Sequence, residues 1–274
     1  MDAVAPRIEC LGGEFSWGTC SQGRFLCQQD SVCKISKIRV PIFAMQSCAV
    51  SIANRFIFIH VPKAGGSSMH AFLRGALCSS AQTDAVCDPA ILKFEECYIA
   101  MDKYADFYFF SFVRHPFSRA ISAYTMALGY MMDKPLMSFD QWARDPDLLH
   151  TNLQSMHWMP MHNFLFTTEG CAVADFVGKQ SSFEGDLRTA LLHIGNTQLL
   201  AHLDTHGLPH DNKADSHNPR DAKALGGGEE RGGAHTTDSK RIASALSNVT
   251  KDILFERYRA DFEGFGFRQN DSDA

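Results

Sequence analysis

"FIFIHVPKAGGSSMHAFLRGAL", residues Phe56 to Leu77, is the stretch on which the fold turns. Phe56 to Val61 is a near-continuous apolar run, the pattern of a strand buried on both faces of a parallel sheet. Beyond the Lys-Ala-Gly-Gly-Ser-Ser break, Met69, Phe72, Leu73, Ala76 and Leu77 fall at i, i+3, i+4, i+7 and i+8, which predicts one apolar face of a helix. Strand, glycine-rich turn and helix open a βαβ unit. Gly65 and Gly66 let the backbone turn tightly and approach a ligand, while Ser67 and Ser68 offer hydroxyls and N–H groups at the positive end of the helix. With Lys63 beside them the loop reads as a phosphate cradle. The Walker pattern is absent, because the lysine precedes the glycines and no Lys-Ser or Lys-Thr follows them, which disfavours an ordinary ATP or GTP enzyme. The plain alternative is a glycine-rich turn with a solvated lysine.

A second unit follows. "FYFFSFV", Phe107 to Val113, predicts another buried strand, and Pro116 stands where a helix tolerates a missing N–H. Phe117, Ala120, Ile121, Tyr124 and Leu128 supply that helix with an apolar face. Arg114 emerges at the carboxyl end of the strand, where open α/β sheets bind ligands. Ser118 and Ser122 lie one turn apart and can share a side with Arg114, so Arg114 and Ser122 suit a second phosphate. Arg119 reads as a surface ion-pair partner and Ser118 as a solvated residue near the helix start. Two anion-binding ends on adjacent strands imply a ligand with anionic groups at two separated points.

Working outward, 274 residues with 45% hydrophobic content suffice for one sizeable α/β domain. Residues 1–54, rich in glycine and cysteine, read as an N-terminal extension. Residues 55–268 form the main domain, interrupted by a polar, glycine-rich insert at 205–237, and 269–274 form a tail. A helix is predicted from Phe183 to Ile194, with Ser181 and Glu184 as a capping box and Gly195 as its stop. Ile242, Leu246, Val249 and Ile253 repeat at helical spacing, and the aromatics of "YRADFEGFGF" predict a docked C-terminus. The net charge of −5 gives no bulk reason to expect nucleic acid or an anionic membrane as a partner. No apolar run approaches the roughly 18 residues of a spanning helix, and no secretory signal is visible.

Five of the nine cysteines lie in the first fifty residues, with no C-x-x-C pair to suggest zinc. That clustering, and the sequons at Asn248 and Asn270, suit an oxidising compartment; a reduced cytosolic chain is the alternative. His206, His210, His217 and His235 are spaced unlike a metal site. Trp142 and Trp158 suit either a sugar ring or the core, and the methionines of "MALGYMMDKPLM" either an acceptor wall or core filler.

"FIHVPKAGGSS" resembles the 5′-phosphosulfate-binding loop, and "FVRHPFSRAISAY" the 3′-phosphate-binding segment, of sulfotransferases that use 3′-phosphoadenosine 5′-phosphosulfate. Within them the chain is most similar to the Golgi carbohydrate sulfotransferases. The resemblance continues through "HWMP" (157–160), "DFVGKQSSFEGDL" (175–187), "LPHDNK" (208–213) and "YRADFEGFGF", over roughly residues 55–268. Ser181 stands where the family commonly has an acidic residue.

The resemblance implies a P-loop-like three-layer α/β fold, with a central, mostly parallel sheet flanked by helices. It also implies sulfuryl transfer to a hydroxyl of a carbohydrate or glycan acceptor, without a metal. Lys63, Ala64, Gly65, Gly66, Ser67 and Ser68 would hold the 5′-phosphate, with Lys63 also neutralising the leaving oxygen, and Arg114 and Ser122 would hold the 3′-phosphate. For the base that takes the acceptor proton, the candidates are His70, Glu95, Glu96 and His157. A small-molecule or protein acceptor, an inactive nucleotide-binding module and a kinase are the rival readings. The resemblance further implies the Golgi lumen, though no anchor is visible in this chain.

Overall fold

The computed structural model describes residues 47–78, 87–129, 138–146, 155–168, 170–209, 242–243 and 246–271, together with the backbone of 16–20 and 23–27. The last two are strands β1 (Ser16–Cys20) and β2 (Gly23–Cys27), an antiparallel hairpin. The central sheet holds β3 (Ser47–Ser51), β4 (Phe56–Ile59), β5 (Lys93–Glu96), β6 (Tyr108–Val113) and β7 (Phe176–Lys179), in the order β5-β3-β4-β6-β7. β4, β6 and β7 pair in parallel, while β3 is antiparallel to both β4 and β5. Hence β5 runs with β4, and β3 alone is reversed.

Both faces of the sheet are covered, which is why its strands read as unbroken apolar runs. Phe56, Phe58, Phe110 and Phe112 pack on one face against α1 (Gly66–Leu77), α6 (Phe183–Ile194) and α7 (Thr197–His206). The alternate residues Ile57, Ile59, Phe109 and Val113 belong to the opposite core. That core is covered by α2 (Cys97–Lys103), α3 (Pro116–Gly129) and α8 (Asn248–Arg257), with α4 (Phe139–Arg144), α5 (His162–Leu165) and α9 (Arg259–Gly264) beyond. The expected three-layer α/β fold with a mostly parallel sheet is therefore present.

The sheet begins ahead of residue 55: β3 lies within the stretch read as an extension, and Cys48 on it is bonded to Cys97 at the start of α2. A second disulfide joins Cys78 to Cys87. β3 is short and flanked by aperiodic sequence, so only its partners reveal it. The helix at Phe183 forms, but Ser181 and Glu184 do not cap it. A 3-10 turn over Gln180–Ser182 precedes it, and Asp186 instead accepts from Lys179 N–H at 2.7 Å. In α8 the buried positions are Thr250 and Leu254, followed by Tyr258, whereas Val249 is 54% exposed. The Thr250 hydroxyl donates to Asp140 on α4, which turns the helix away from the face its apolar spacing suggested.

Trp142 and Trp158 are buried with ring centroids 6.3 Å apart, so both are core residues and unavailable to a sugar. The C-terminal aromatics dock as expected: the buried His115 ring lies edge-on to Phe117, Phe262 and Phe267. Its Nδ1 faces the Phe117 N–H at 3.3 Å and its Nε2 the Arg268 carbonyl at 2.9 Å, a pairing that assigns the proton to Nε2. Most of the expected insert, with His210, His217 and His235, and the methionines at 131, 132 and 137 lie outside the described residues. Among the described residues no helix is long and apolar enough to cross a membrane.

Candidate active site

The carboxyl ends of β4, β6 and β7 share one edge of the sheet, and the chain leaves that edge by loops. After β4, Lys63 takes a left-handed conformation (φ 65°), which costs a non-glycine residue about 1 kcal/mol. Gly65 follows as the left-handed N-cap of α1 (φ 98°), so the first-turn N–H groups point out of the helix toward the loop. The glycines serve the protein's own rings as well as any ligand. A Cβ on Gly65 would lie 2.5 Å from Phe183, and one on Gly66 only 2.0 Å from the His60 Nε2.

Three cations gather here. Burial, together with the positive charges of Arg114 and Arg119, pulls the Lys63 ammonium down from 10.5 to about 8. Among the described residues no carboxylate offsets these effects on Lys63. Such a site stores unfavourable like-charge energy that an anion would release.

Arg119 is not at the surface, as its sequence position suggested; it is 1% exposed. Its Nε donates to the Pro62 carbonyl at 2.8 Å and its Nη1 to the Met159 carbonyl at 2.6 Å, which ties the cradle to the 157–160 segment. Asp261 on α9, also fully buried, supplies the opposing charge and accepts from the N–H groups of Met161 at 2.9 Å and His162 at 2.7 Å. Burial raises the Asp261 carboxyl from 3.8 to about 6, against the opposing pull of Arg119 and those two N–H groups. The Tyr258 hydroxyl donates to the Trp158 carbonyl at 2.9 Å and completes the clamp. Arg119 thus positions the loops, and Asp261 keeps its charge tolerable.

His60, immediately before the cradle, was not among the expected site residues. Its ring centroid lies 4.9 Å from that of His70, and burial, His70, His157 and Lys63 together depress it to about 3. His70 is depressed to about 4 by burial and by Arg74. The structure therefore groups two of the four candidate bases, His70 and His157, around a third imidazole. These low values keep His60 and His70 neutral at physiological pH. The His70 Nε2 is enclosed and has no hydrogen-bond partner in the structure.

Glu95 and Glu96 stand apart from this group. Glu95 lies opposite Cys48 on β3, on the sheet face away from α1, and ion-pairs with Lys93 at 2.8 Å. Glu96 is the N-cap position of α2 and is exposed. Ser122 and Ser118 are half-buried on the first turns of α3, below Arg114. Lys179 ends β7 in register with Val113, one residue before Arg114, and its Nζ lies 4.5 Å from the Phe267 ring. The signal for His60 was its place inside the apolar run Phe56–Val61; Lys179 is brought beside Arg114 only by the pairing of β7 with β6, and Arg119 gave no sequence signal of burial.

A glycine-rich turn at a helix N-terminus, flanked by cations from two further parallel strands, is chemistry suited to an anionic ligand at the carboxyl edge of the sheet. The sequence matches the model of the sulfotransferase family over residues 47–268, and the chain belongs to that family. The match begins at β3, the strand that opens the sheet. No curated protein and no solved structure matches the chain.

Proposed function

We propose that the protein transfers a sulfuryl group from 3′-phosphoadenosine 5′-phosphosulfate to a hydroxyl of a carbohydrate acceptor. The observation that carries this reading is the meeting of Lys63, the left-handed Gly65 at the start of α1 and Arg114 beyond β6 at one edge of the parallel sheet, an arrangement that suits a ligand with two anionic groups. The co-substrate brings an activated sulfate on a phosphate leaving group. Lys63 neutralises the bridging oxygen as its S–O bond breaks, while Ala64, Gly65, Gly66, Ser67 and Ser68 surround the 5′-phosphate. Arg114, with Ser122, holds the 3′-phosphate, and Lys179 adds charge at the same edge. Arg119 and Asp261 fix the distance between the cradle and the 157–160 segment, since positioning carries much of such a reaction.

The acceptor oxygen forms the new S–O bond and gives its proton to a neutral imidazole. His70 is the base we assign, with His157 and His60 beside it, whereas Glu95 is committed to Lys93 and Glu96 faces solvent. The Cys48–Cys97 and Cys78–Cys87 disulfides among the described residues suit the lumen of the secretory pathway, with the Golgi as the compartment we infer.

The test is calorimetric binding of 3′-phosphoadenosine 5′-phosphate to the wild type and to Arg114→Ala, with ATP as competitor. Micromolar binding that depends on Arg114 and exceeds that of ATP is expected. No binding, or a preference for ATP, refutes the donor assignment.

A further inference from the structure

Beside the cradle, β5 forms one margin of the sheet and presents Phe94, 36% exposed, on the same face as α1. Its ring is contacted by two residues one turn apart on that helix. The His70 ring centroid lies 4.8 Å away at 66°, and the Arg74 guanidinium carbon 5.0 Å from the ring centre. His70 in turn contacts His60, whose ring fills the space a Cβ on Gly66 would need. A continuous row therefore runs from the cradle through two imidazoles to an accessible aromatic face and an exposed arginine.

Both ends of this row reach solvent. An exposed phenylalanine gains little from burial, and Arg74 is exposed with no carboxylate partner among the described residues. The cation–π contact instead holds the guanidinium beside the ring, leaving its fork of N–H groups for an oxyanion. The protein as a whole carries a net charge of −5, so an acidic ligand would be repelled in general and would need a local cation at the point of contact.

Building on the transfer reaction above, we propose that Phe94 is the platform on which the acceptor sugar stacks, and that Arg74 receives an acidic substituent of that acceptor. A pyranose laid on Phe94 presents its C–H face to the ring and its hydroxyl edge toward His70 and the cradle. A carboxylate or sulfate on the same or the adjoining sugar then reaches Arg74, and that contact selects the acceptor. The exposed, charged and aromatic pairing favours a saccharide over an apolar small molecule, which would leave Arg74 unmatched.

The experiment titrates a glucuronate-containing oligosaccharide, and the same oligosaccharide with its carboxylates reduced to alcohols, into the wild type, Arg74→Gln, Phe94→Ala and Phe94→Trp. Each titration is run with and without 3′-phosphoadenosine 5′-phosphate, whose own binding is measured separately. The wild type should prefer the acidic form by about tenfold, a preference that Arg74→Gln abolishes while leaving affinity for the reduced form unchanged. Phe94→Ala should weaken both forms, and Phe94→Trp should restore binding; nucleotide affinity should be the same in all variants and reports their folding. Equal binding of both forms, a preference that survives in Arg74→Gln, or no saccharide binding at all would overturn the proposal. So would tighter binding of an acidic peptide than of the saccharide. Failure of the nucleotide arm alone refutes the donor assignment, because the saccharide arm without nucleotide judges the platform by itself.

Discussion

Lys63 offers the sharpest test of the cradle. Its ammonium is pulled from 10.5 to about 8 by burial and by Arg114 and Arg119, so near pH 8 half of the ligand-free protein carries no charge there. A polyanion restores the charge, and binding takes up a proton. The observed association constant should fall from its neutral value by about tenfold at roughly pH 9, whereas an unperturbed lysine would lose only a few per cent. The ligand does not confound the measurement, since phosphate groups finish ionising near pH ~7. The depressed His60 and His70 stay neutral throughout the range.

Calorimetry of 3′-phosphoadenosine 5′-phosphate binding between about pH 7 and pH 9.5, in buffers of differing ionisation enthalpy, reads both affinity and proton uptake. Lys63→Arg keeps the charge across that whole range and should abolish the uptake and the decline. The ligand-free protein provides a second reading. Because the folded lysine loses its proton before the unfolded one does, stability should rise as pH goes from 8 toward 10.5, by up to roughly 3 kcal/mol. A wild-type affinity that stays flat through pH ~9.5, or a decline shared by Lys63→Arg, would refute the account of three crowded cations.

Four further perturbations test the scaffold. Arg119→Met strands Asp261 without its countercharge and leaves the Pro62 and Met159 carbonyls without a donor, so chemical denaturation should show a loss of about 3–5 kcal/mol. Asp261 holds its proton in the folded state up to about 6 and in the unfolded chain only to 3.8; its contribution to stability should therefore decline as pH rises through that window. In Asp261→Asn that component of the pH dependence of the denaturation midpoint should vanish. Gly66→Ala drives a Cβ into the His60 ring and should cost about 1–3 kcal/mol in thermal unfolding, much of it recovered in the His60→Ala background, and additive effects would deny the contact. Removing the Cys48–Cys97 bridge, which spans 49 residues of sequence, should destabilise the fold by about 4 kcal/mol, measured as the difference between oxidised protein and the paired alanine variant.

The strand–turn–helix units around Gly65 and Arg114 were legible because each is a local pattern. An apolar run, a glycine pair and a helical period sit within about twenty residues of one another, and short-range sterics are enough to make strand, turn and helix from them. The same holds for Pro116 at the start of α3 and Gly195, left-handed at the end of α6. β3 escaped notice because five residues without flanking periodicity carry little local information, and its identity as a strand depends on pairing with β4 and β5. Val249 was misplaced for a related reason, since the Thr250–Asp140 contact outweighs apolar spacing in setting the rotation of α8.

Sequence by itself thus determined the α/β class, the two strand-to-helix loops and the residues at their tips, all of which follow from neighbours along the chain. Tertiary structure alone decided that Arg119 is a buried clamp instead of a surface charge, through carbonyls 57 and 40 residues away and a countercharge on α9. It also decided that His60 and His70 share one neutral cluster beside Phe94, while Glu95 turns to the opposite face of the sheet. Burial and the charges of distant residues set a side chain's protonation and orientation, and neither quantity exists until the chain has folded.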